Sequence, residues 1–600
     1  MRAPGPRSIV TESMITRVRN LIIPLLCTSM LAACAATHPA DKKPAAAAPP
    51  ASNVTGLTVA AEAALKRGDC REASESYAKA AATGDAQLAR RATQVAMACE
   101  HLPAAWQSAT RWRSLAPTDR EANALYAAIA LKLYRTADAR GAIHEFWRVE
   151  EQMNATAAAS KGAGDNATPV TPHKSEERTA RSMTELTALL LEESDASAVL
   201  IAMSGALEPN ANSTDTLTLL GELALAAYDG DRAARYAQQA LQHDPQDLSA
   251  LRILARAYVM QGDASQALAT ARKAKTDDAQ RGGLELAEIL ASLDRSEEAH
   301  QELERLRASG APHAEIDRRL ALLAFNSGDY KEAKQRFSDL LSSGEGNDGA
   351  QLYLADIALR DGDPDAALAA YRRLYDSSVA LSARSRAASL LLDRHSRTEA
   401  LALLDDYAAD HPEDELDLTL AKARLLADHG EADTGLAILS AELERHPQHP
   451  SIEYDRAVIL EQAGHVHESV EALERMLEQR PDDPTLLNAL GYTLADHSLE
   501  LPHAETLIRR ALTVMPDSPA ALDSLGWVRF RAGDMKSATS TLERAYSLGH
   551  DAEIAAHWGE ALWVSGNKSE ARRVWAAALA RDPESKPLKA TIERFLPDAH

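Results

Sequence analysis

Apolar and polar residues alternate along most of this chain in a pattern typical of short, paired helices. The clearest case runs from Pro519 to Pro583 and reads PAALDSLGWVRFRAGDMKSATSTLERAYSLGH, then DAEIAAHWGEALWVSGNKSEARRVWAAALARDP. When the two halves are aligned, Gly526 lies over Gly559. Each half carries apolar residues three and four positions apart, interrupted by a glycine. This spacing predicts two amphipathic helices joined by a tight turn.

Three kinds of marker residue recur with one shared period of about 34 residues, which predicts a repeat array. Small residues mark the first helix of each unit: Gly221, Ala255, Ala287, Ala321, Ala355, Ala388, Ala423, Ala457, Gly491, Gly526 and Gly559. Glycines mark the turn: Gly68, Gly262, Gly328, Gly362, Gly430, Gly464, Gly533 and Gly566. Prolines mark the end of the unit: Pro117, Pro209, Pro245, Pro412, Pro447, Pro481, Pro516 and Pro583.

Each marker has a physical role. A small residue lets two helix backbones approach closely. Glycine adopts the left-handed conformation that ends one helix and allows a tight turn. Proline cannot continue the second helix, but it fits the first turn of the next one.

Two segments, LNALGYTLAD and LDSLGWVRF, carry a Leu-Gly-aromatic signature that resembles the tetratricopeptide repeat family. The resemblance extends over most of the mature chain and is weaker in the Ala-rich middle. It implies an all-α fold, a right-handed TPR superhelix or α-solenoid of about 15 helix–turn–helix repeats. For function it implies protein partners in general, because such repeats serve many different ones.

Composition narrows the classes of partner. The net charge is −23 and the pI is about 5.3. A nucleic-acid-binding protein needs a basic face, so this balance argues against nucleic acid. Hydrophobic residues make up 45% of the chain but aromatic residues only 4%, which suits tightly packed helices rich in Ala and Leu.

The first 33 residues are interpreted as a lipoprotein signal peptide. Arg17 and Arg19 precede an apolar run from Leu21 to Met30 that is short for a membrane span. Translation starting at Met14 would place these arginines better. The following Leu31-Ala32-Ala33-Cys34 resembles the bacterial lipobox. The alternative is an ordinary cleaved signal that happens to contain a cysteine.

The lipobox resemblance implies that Cys34 is lipidated, including by palmitate, and becomes the first residue of the mature protein. Several acyl chains hold a protein stably on a membrane. Residue 35 is Ala and not the Asp that resembles an inner-membrane retention signal, so we expect the outer membrane, facing the periplasm. Residues 34–53 are rich in Ala and Pro and predict an extended tether.

The rest of the chain divides into four parts. Residues 54–153 form an N-terminal repeat block, and residues 178–583 form the main array. Residues 154–177, NATAAASKGAGDNATPVTPHKSEE, are interpreted as a flexible loop, either a hinge or an insertion without a role. Residues 584–600 are expected to contain the capping helix that a repeat array needs.

Cys70 and Cys99 are the remaining cysteines of the mature chain. In the repeat register, Cys70 begins the second helix of the first unit and Cys99 ends the first helix of the next. These helices touch, so the sulfurs could come within bonding range, and the periplasm permits disulfides. Two outcomes stay open: a Cys70–Cys99 disulfide or two small buried thiols.

We find no sequence signature of catalysis. The chain lacks G-x-S-x-G, H-E-x-x-H and the P-loop pattern. No histidine shares a metal-site spacing with cysteine or carboxylate ligands. We therefore expect no enzyme activity, no metal and no cofactor.

The resemblance to the repeat family implies that certain first-helix positions line a partner-binding groove. In the last three units these positions are Asn488, Tyr492 and Asp496; Asp523, Trp527, Phe530 and Arg531; and Glu560 and Trp563. Exposed aromatic residues anchor many protein interfaces, so four of them predict an aromatic patch. The alternative is that packing against neighbouring units or the C-terminal cap hides them. Trp558 and Trp575 are expected in the core.

Two functional interpretations follow. The first is a non-catalytic, membrane-anchored adaptor that binds periplasmic proteins. The chain is similar to outer-membrane repeat lipoproteins that bring carboxyl-terminal processing proteases to cell-wall (peptidoglycan) hydrolases. The second is a component of an outer-membrane machine that exports exopolysaccharide or pili.

Overall fold

The structure is a computed structural model that describes residues 54–99, 101–161, 172–208, 213–344, 347–446, 449–582 and 585–596. The predicted signal peptide, Cys34 and the predicted tether of residues 34–53 lie outside these described residues. Within the described ranges, no helix is both long and apolar enough to cross a membrane.

The described residues form thirty-one α-helices in two compact units, and they contain no strand. The first part of unit 1 contains α1 Val54–Arg67, α2 Cys70–Thr83, α3 Ala86–Ala98, α4 Leu102–Leu115, α5 Arg120–Lys132, α6 Thr136–Lys161, α7 Pro172–Glu193, α8 Ala196–Leu207, α9 Thr214–Ala226 and α10 Gly230–His243.

Unit 2 follows in the chain, with a 3-10 turn at Pro412–Asp414. Its helices are α11 Leu248–Met260, α12 Ala264–Asp277, α13 Arg281–Ser292, α14 Ser296–Ala308, α15 His313–Asn326, α16 Tyr330–Ser342, α17 Asp348–Arg360, α18 Pro364–Arg372, α19 Ala380–Asp393, α20 Arg397–Asp410, α21 Glu415–Asp428, α22 Ala432–Arg445, α23 Pro450–Gln462 and α24 Val466–Gln479.

The last helices return to unit 1, except that residues 496–499 are grouped with unit 2. They are α25 Pro484–Asp496, α26 Leu501–Val514, α27 Pro519–Arg531, α28 Met535–Gly549, α29 Ala552–Val564, α30 Lys568–Arg581 and α31 Lys586–Phe595. The helices α1 to α30 form fifteen consecutive pairs, numbered here as repeats 1 to 15, and α31 follows the last pair. The expected all-α array of about fifteen repeats is confirmed.

The turn inside a repeat is built by two residues with separate tasks. Gly262 has φ +76° and ends α11, a conformation that costs glycine little because it has no Cβ. The next residue, Asp263, caps α12 by accepting a hydrogen bond from the Gln266 backbone N–H at 3.0 Å. The same Gly-Asp pair forms the turn at Gly328 and at Gly533.

In the last three repeats, the first helix approaches the second closely at a glycine. A Cβ built on Gly559 would lie 2.0 Å from Nε1 of Trp575, a residue that is 1% exposed. At Gly491 it would lie 2.5 Å from Cγ1 of Ile508. These positions exclude any side chain, so larger residues of the second helix can fill the space beside them.

Ion pairs join neighbouring repeats within unit 2. Arg256 on α11 contacts both Glu285 and Glu288 on α13, and Glu288 also contacts Arg319 on α15. Burial raises the pKa of Glu285, and the Arg256 guanidinium, 3.0 Å away, opposes this rise. Since Glu285 is buried, losing Arg256 would leave an unpaired carboxylate at a site with little water.

The predicted loop at residues 154–177 is wrong in its extent. Helix α6 continues to Lys161 and α7 begins at Pro172. The reason is composition, because the Ala-rich stretch at residues 155–161 favours helix. Both glycines of the segment, Gly162 and Gly164, lie outside the described residues. The side-chain Nδ2 of Asn154 donates to Oγ1 of Thr179 at 2.9 Å, which ties α6 to α7.

Cys70 and Cys99 are joined as a disulfide, with Cα atoms 5.3 Å apart. Cys70 is the first residue of α2, and Cys99 follows the last residue of α3. The bond therefore links repeat 1 to repeat 2, the neighbours that the repeat register had brought together.

Replacing Gly559 by Ala should destabilise repeat 15 by about 1–3 kcal/mol, because the new methyl group would overlap the buried Trp575 ring. Gly205→Ala is the matched control. It lies on an exposed part of α8, where a Cβ would lie 2.6 Å from Cδ of Arg140, an exposed and flexible side chain that can shift. Thermal unfolding and hydrogen exchange should show local loss only in Gly559→Ala. Equal stability of the two variants would contradict the close approach.

Candidate partner-binding surface

Three first helices, α25, α27 and α29, carry the residues that the sequence assigned to a groove. On α27, Asp523, Trp527 and Arg531 lie four residues apart and so share one face of the helix. On α25, Asn488 and Tyr492 do the same. Repeat periodicity thus places equivalent faces on successive helices.

The centre of this region is a stacked and hydrogen-bonded cluster. Trp527 is only 5% exposed, and its ring stacks on the His557 ring at 4.2 Å and on the Phe530 ring at 5.0 Å. Nδ1 of His557 donates to the Asp523 carboxylate, with oxygens at 2.9 and 3.1 Å, because a carboxylate can only accept. Asp523 and His557 are both buried. The cluster fixes α27 against α29.

A more accessible rim borders this cluster. The Tyr492 hydroxyl donates to Oε1 of Glu553 at 3.3 Å, and Glu553 keeps an exposed side chain. Desolvation raises the pKa of Glu553, and the carboxylates of Asp523 and Asp551 add to the rise, while His557 opposes it. Glu553 therefore has two other carboxyl groups, those of Asp523 and Asp551, as neighbours.

Two further polar side chains, Asn488 and Arg531, lie at the rim and have different surroundings. Oδ1 of Asn488, one turn before Tyr492, is buried and has no hydrogen-bond partner. The exposed Arg531 places its guanidinium 5.7 Å from the Trp527 ring centre. We call Asn488, Tyr492, Phe530, Arg531 and Glu553, with the buried cluster beneath them, the C-terminal surface.

The remaining groove assignments need correction. Trp563 does not join Trp527 in an exposed patch: its ring stacks on Trp575 at 5.7 Å and lies 5.8 Å from the tilted Phe595 ring of α31. Glu560 is buried and forms an ion pair with Arg594, also on α31. The array ends here, so α31 covers the face that another repeat would otherwise cover.

Asp496 also differs from expectation. It is the last residue of α25 and is grouped with unit 2, so we do not assign it to the C-terminal surface. Trp558 and Trp575 are buried in the core of the last two repeats, as expected.

The sequence reasoning missed His557 and Glu553. When the repeats are aligned on Gly526 and Gly559, Ala556 falls at the position of Asp523. The groove pattern therefore does not include the next residue, His557. One signal in the sequence could have identified His557. It follows directly after a predicted groove position, and the equivalent position in the preceding repeat is Asp523. The described residues hold no group of three or more His, Cys, Asp or Glu side chains that could bind a metal ion.

Comparison with known families agrees with this architecture. Tetratricopeptide repeat models match residues 224–283, 318–380 and 420–484. At these three places the chain matches tetratricopeptide repeats. These repeats form a scaffold for protein–protein interaction, which is the general role that the matches support.

A TPR repeat-containing protein of Pseudomonas aeruginosa is 30% identical to the chain over 213 residues. The match covers 36% of this chain and 36% of that relative, so the chain spans about a third of the relative's length.

Two solved structures are also similar. The APC/C hetero-tetramer Cut9-Hcn1 aligns over 91% of this chain and 97% of its own, at 15% identity and a TM-score of 0.28. A tetratricopeptide repeat protein of Parabacteroides merdae aligns over 46% of this chain and 96% of its own, at 15% identity and a TM-score of 0.29. Neither likeness carries a functional argument.

Trp527→Ala should cost about 3–5 kcal/mol of local stability, because the ring is buried in the stack. Hydrogen exchange over α27 and α29 should report the loss. Arg531→Ala, on the same helix face but exposed, is the control and should change stability by no more than about 0.5 kcal/mol. Unaltered protection in Trp527→Ala would show that the ring does not support these helices.

Proposed function

We propose that the protein is a non-catalytic scaffold, anchored by a lipid on Cys34 to the periplasmic face of the outer membrane, that docks protein partners on the C-terminal surface. The docking site rests on one observation. The first helices of three successive repeats, α25, α27 and α29, carry the rings of Tyr492 and Phe530 and the polar side chain of Glu553, which accepts a hydrogen bond from Tyr492. Aromatic anchors surrounded by polar groups are typical of protein-binding sites.

The rim favours a particular kind of partner segment. Glu553 offers an exposed carboxylate with the carboxyl groups of Asp523 and Asp551 nearby. A basic side chain would match this carboxylate, while the Tyr492 and Phe530 rings would contact the apolar part of the same segment. The chain's net charge of −23 also favours a basic partner surface.

Two features support an extracytoplasmic location. The lipobox-like Leu31-Ala32-Ala33-Cys34 follows an apolar run, and disulfides persist mainly in oxidising compartments, where the Cys70–Cys99 bond would be stable. A tether from Cys34 would begin 20 residues before the first described helix at Val54 (54 − 34 = 20). Membrane tethering raises the effective concentration of docked partners without new chemistry.

The partners we propose are a periplasmic carboxyl-terminal processing protease and the peptidoglycan hydrolases that it processes. The proposal follows the resemblance to adaptor lipoproteins of the same design. The competing assignment, an exopolysaccharide or pilus export machine, would instead give a secretin or an export barrel as the stoichiometric partner.

Affinity capture of the C-terminally tagged, cross-linked protein tests the docking surface. The double variant Tyr492→Ala/Glu553→Lys should reduce the recovery of the partner about tenfold or more, since it removes an anchor and reverses a charge. Glu474→Lys, an exposed glutamate on α24, makes the same charge change elsewhere. Equal recovery in both variants would remove the C-terminal surface as the docking site, and capture of a secretin would favour export.

Replacing Cys34 by Ala should abolish palmitate incorporation and move the protein from the membrane fraction into the soluble periplasm, because the acyl anchor is lost. Cys27→Ala is the matched control, as Cys27 lies within the apolar run of the signal and should leave labelling intact. Labelling that survives in Cys34→Ala, or that disappears in Cys27→Ala, would reject Cys34 as the lipid site.

A further inference from the structure

Unit 1 is assembled from two parts of the chain that are far apart in sequence, and these parts contact each other directly. The backbone N–H of Asp517 donates to the carbonyl of Tyr134 at 3.2 Å. Oγ1 of Thr136 donates to Oδ2 of Asp517 at 2.7 Å, across a separation of 381 residues. Arg135 reaches the carbonyl of Val514 at 3.4 Å. The turn inside repeat 3 thus meets the turn between repeats 13 and 14.

Asp517 is the residue on which these contacts converge. Besides the two bonds from repeat 3, its Oδ1 accepts from Nη2 of Arg544 at 3.0 Å, and the same nitrogen donates to the carbonyl of Pro516 at 3.1 Å. Its N–H and both carboxylate oxygens are therefore all engaged. Thr136 is buried, so its hydroxyl has little access to water as an alternative partner.

The turn in repeat 3 is itself held in an unusual form. Tyr134 has φ +48°, at the point where repeat 14 uses Gly533 with φ +85°. The left-handed region is unfavourable for a residue with a Cβ. Burial and a hydrogen bond with Asp195 of repeat 4 raise the pKa of the Tyr134 hydroxyl to about 12. The side chain therefore fixes the turn whose carbonyl accepts from Asp517.

A second line of contact runs beside the first. Helix α8 packs against α28, and His550, which follows α28, lies within electrostatic range of Asp229 and Arg232 at the start of α10. Burial and the charge of Arg581 lower the pKa of His550. The contact between the two parts of unit 1 thus extends over repeats 3, 4 and 5 on one side.

The position of Asp517 connects this contact to the C-terminal surface. The next residue, Ser518, is 2% exposed and caps α27 by accepting from the Ala521 backbone N–H at 3.2 Å. Helix α27 then carries Asp523 and Trp527 at the centre of the surface. A constraint on Asp517 is transmitted to α27 through one peptide unit.

We propose that Tyr134, Arg135 and Thr136 form a clasp with Asp517 that sets the start of α27, so that repeat 3 controls the geometry of the C-terminal surface. The inference rests on the proposed function for its biological meaning. The clasp is a positioning device, since its residues lie outside the surface itself. Opening it loosens the entry into α27 and with it the stack of Trp527 on His557.

Hydrogen exchange on the full chain tests the clasp without any partner. In Thr136→Val, which keeps the shape but loses the hydroxyl, amides of residues 515–531 should exchange about tenfold faster, the effect of losing one hydrogen bond to a charged acceptor. Thr136→Ser keeps the hydroxyl and should restore wild-type exchange. Thr506→Val is the control, because Thr506 donates only to its own helix, at the Pro502 carbonyl.

The outcomes separate the clasp from the docking proposal. Wild-type exchange at residues 515–531 in Thr136→Val, or loss of protection in Thr136→Ser as large as in Thr136→Val, overturns the clasp. Faster exchange that spreads to α1 and α2 also overturns it, because it indicates general unfolding. If Thr136→Val shows the expected faster exchange but Tyr492→Ala/Glu553→Lys still captures the partner, the proposed docking site is rejected. The clasp is supported by the same set of results.

Discussion

The last three repeats depend on a close approach in which the first helix meets the second at a glycine. At Gly559 the space that a Cβ would need is already filled by Trp575, and at Gly526 it is filled by Leu542. Dispersion and burial are greatest when large side chains fill such gaps at the density of a protein interior. Each pair of helices thereby becomes a preformed layer, and the array grows by stacking layers.

This local logic explains what could be predicted from the sequence. The eight turn glycines of the repeat pattern all have positive φ, because the turn needs a conformation that glycine adopts at low cost. Repeats without that glycine place another residue in the same conformation, such as Tyr134, Asp294 or His395. These turns cannot be recognised from a glycine pattern. The number of repeats is still predictable from the small residues that mark the first helix of each unit. The prediction of a flexible loop over residues 154–177 is wrong at its start, because an Ala-rich composition favours helix.

The candidate site was less predictable, and the reason is that position in a repeat does not determine exposure. Trp527 and Trp563 both lie on first helices, yet Trp527 is covered by His557 of the next repeat and Trp563 lies against Phe595 of the final helix. His557 itself reaches back to Asp523 in the preceding repeat. Contacts between layers decide which side chains remain accessible, and those contacts depend on the particular residues at each junction.

The bond between Thr136 and Asp517 has a consequence for how the molecule is made. Thr136 and Asp517 are separated by 381 residues, so repeat 3 is available well before the residue that closes the clasp. Repeats 1 to 5 fold from contacts between neighbours and do not have to wait. The surface of these repeats that contacts the last repeats of unit 1 stays uncovered until those last repeats are made. The two parts of unit 1 therefore join in a late step, and the chain remains incomplete until nearly its whole length has been produced.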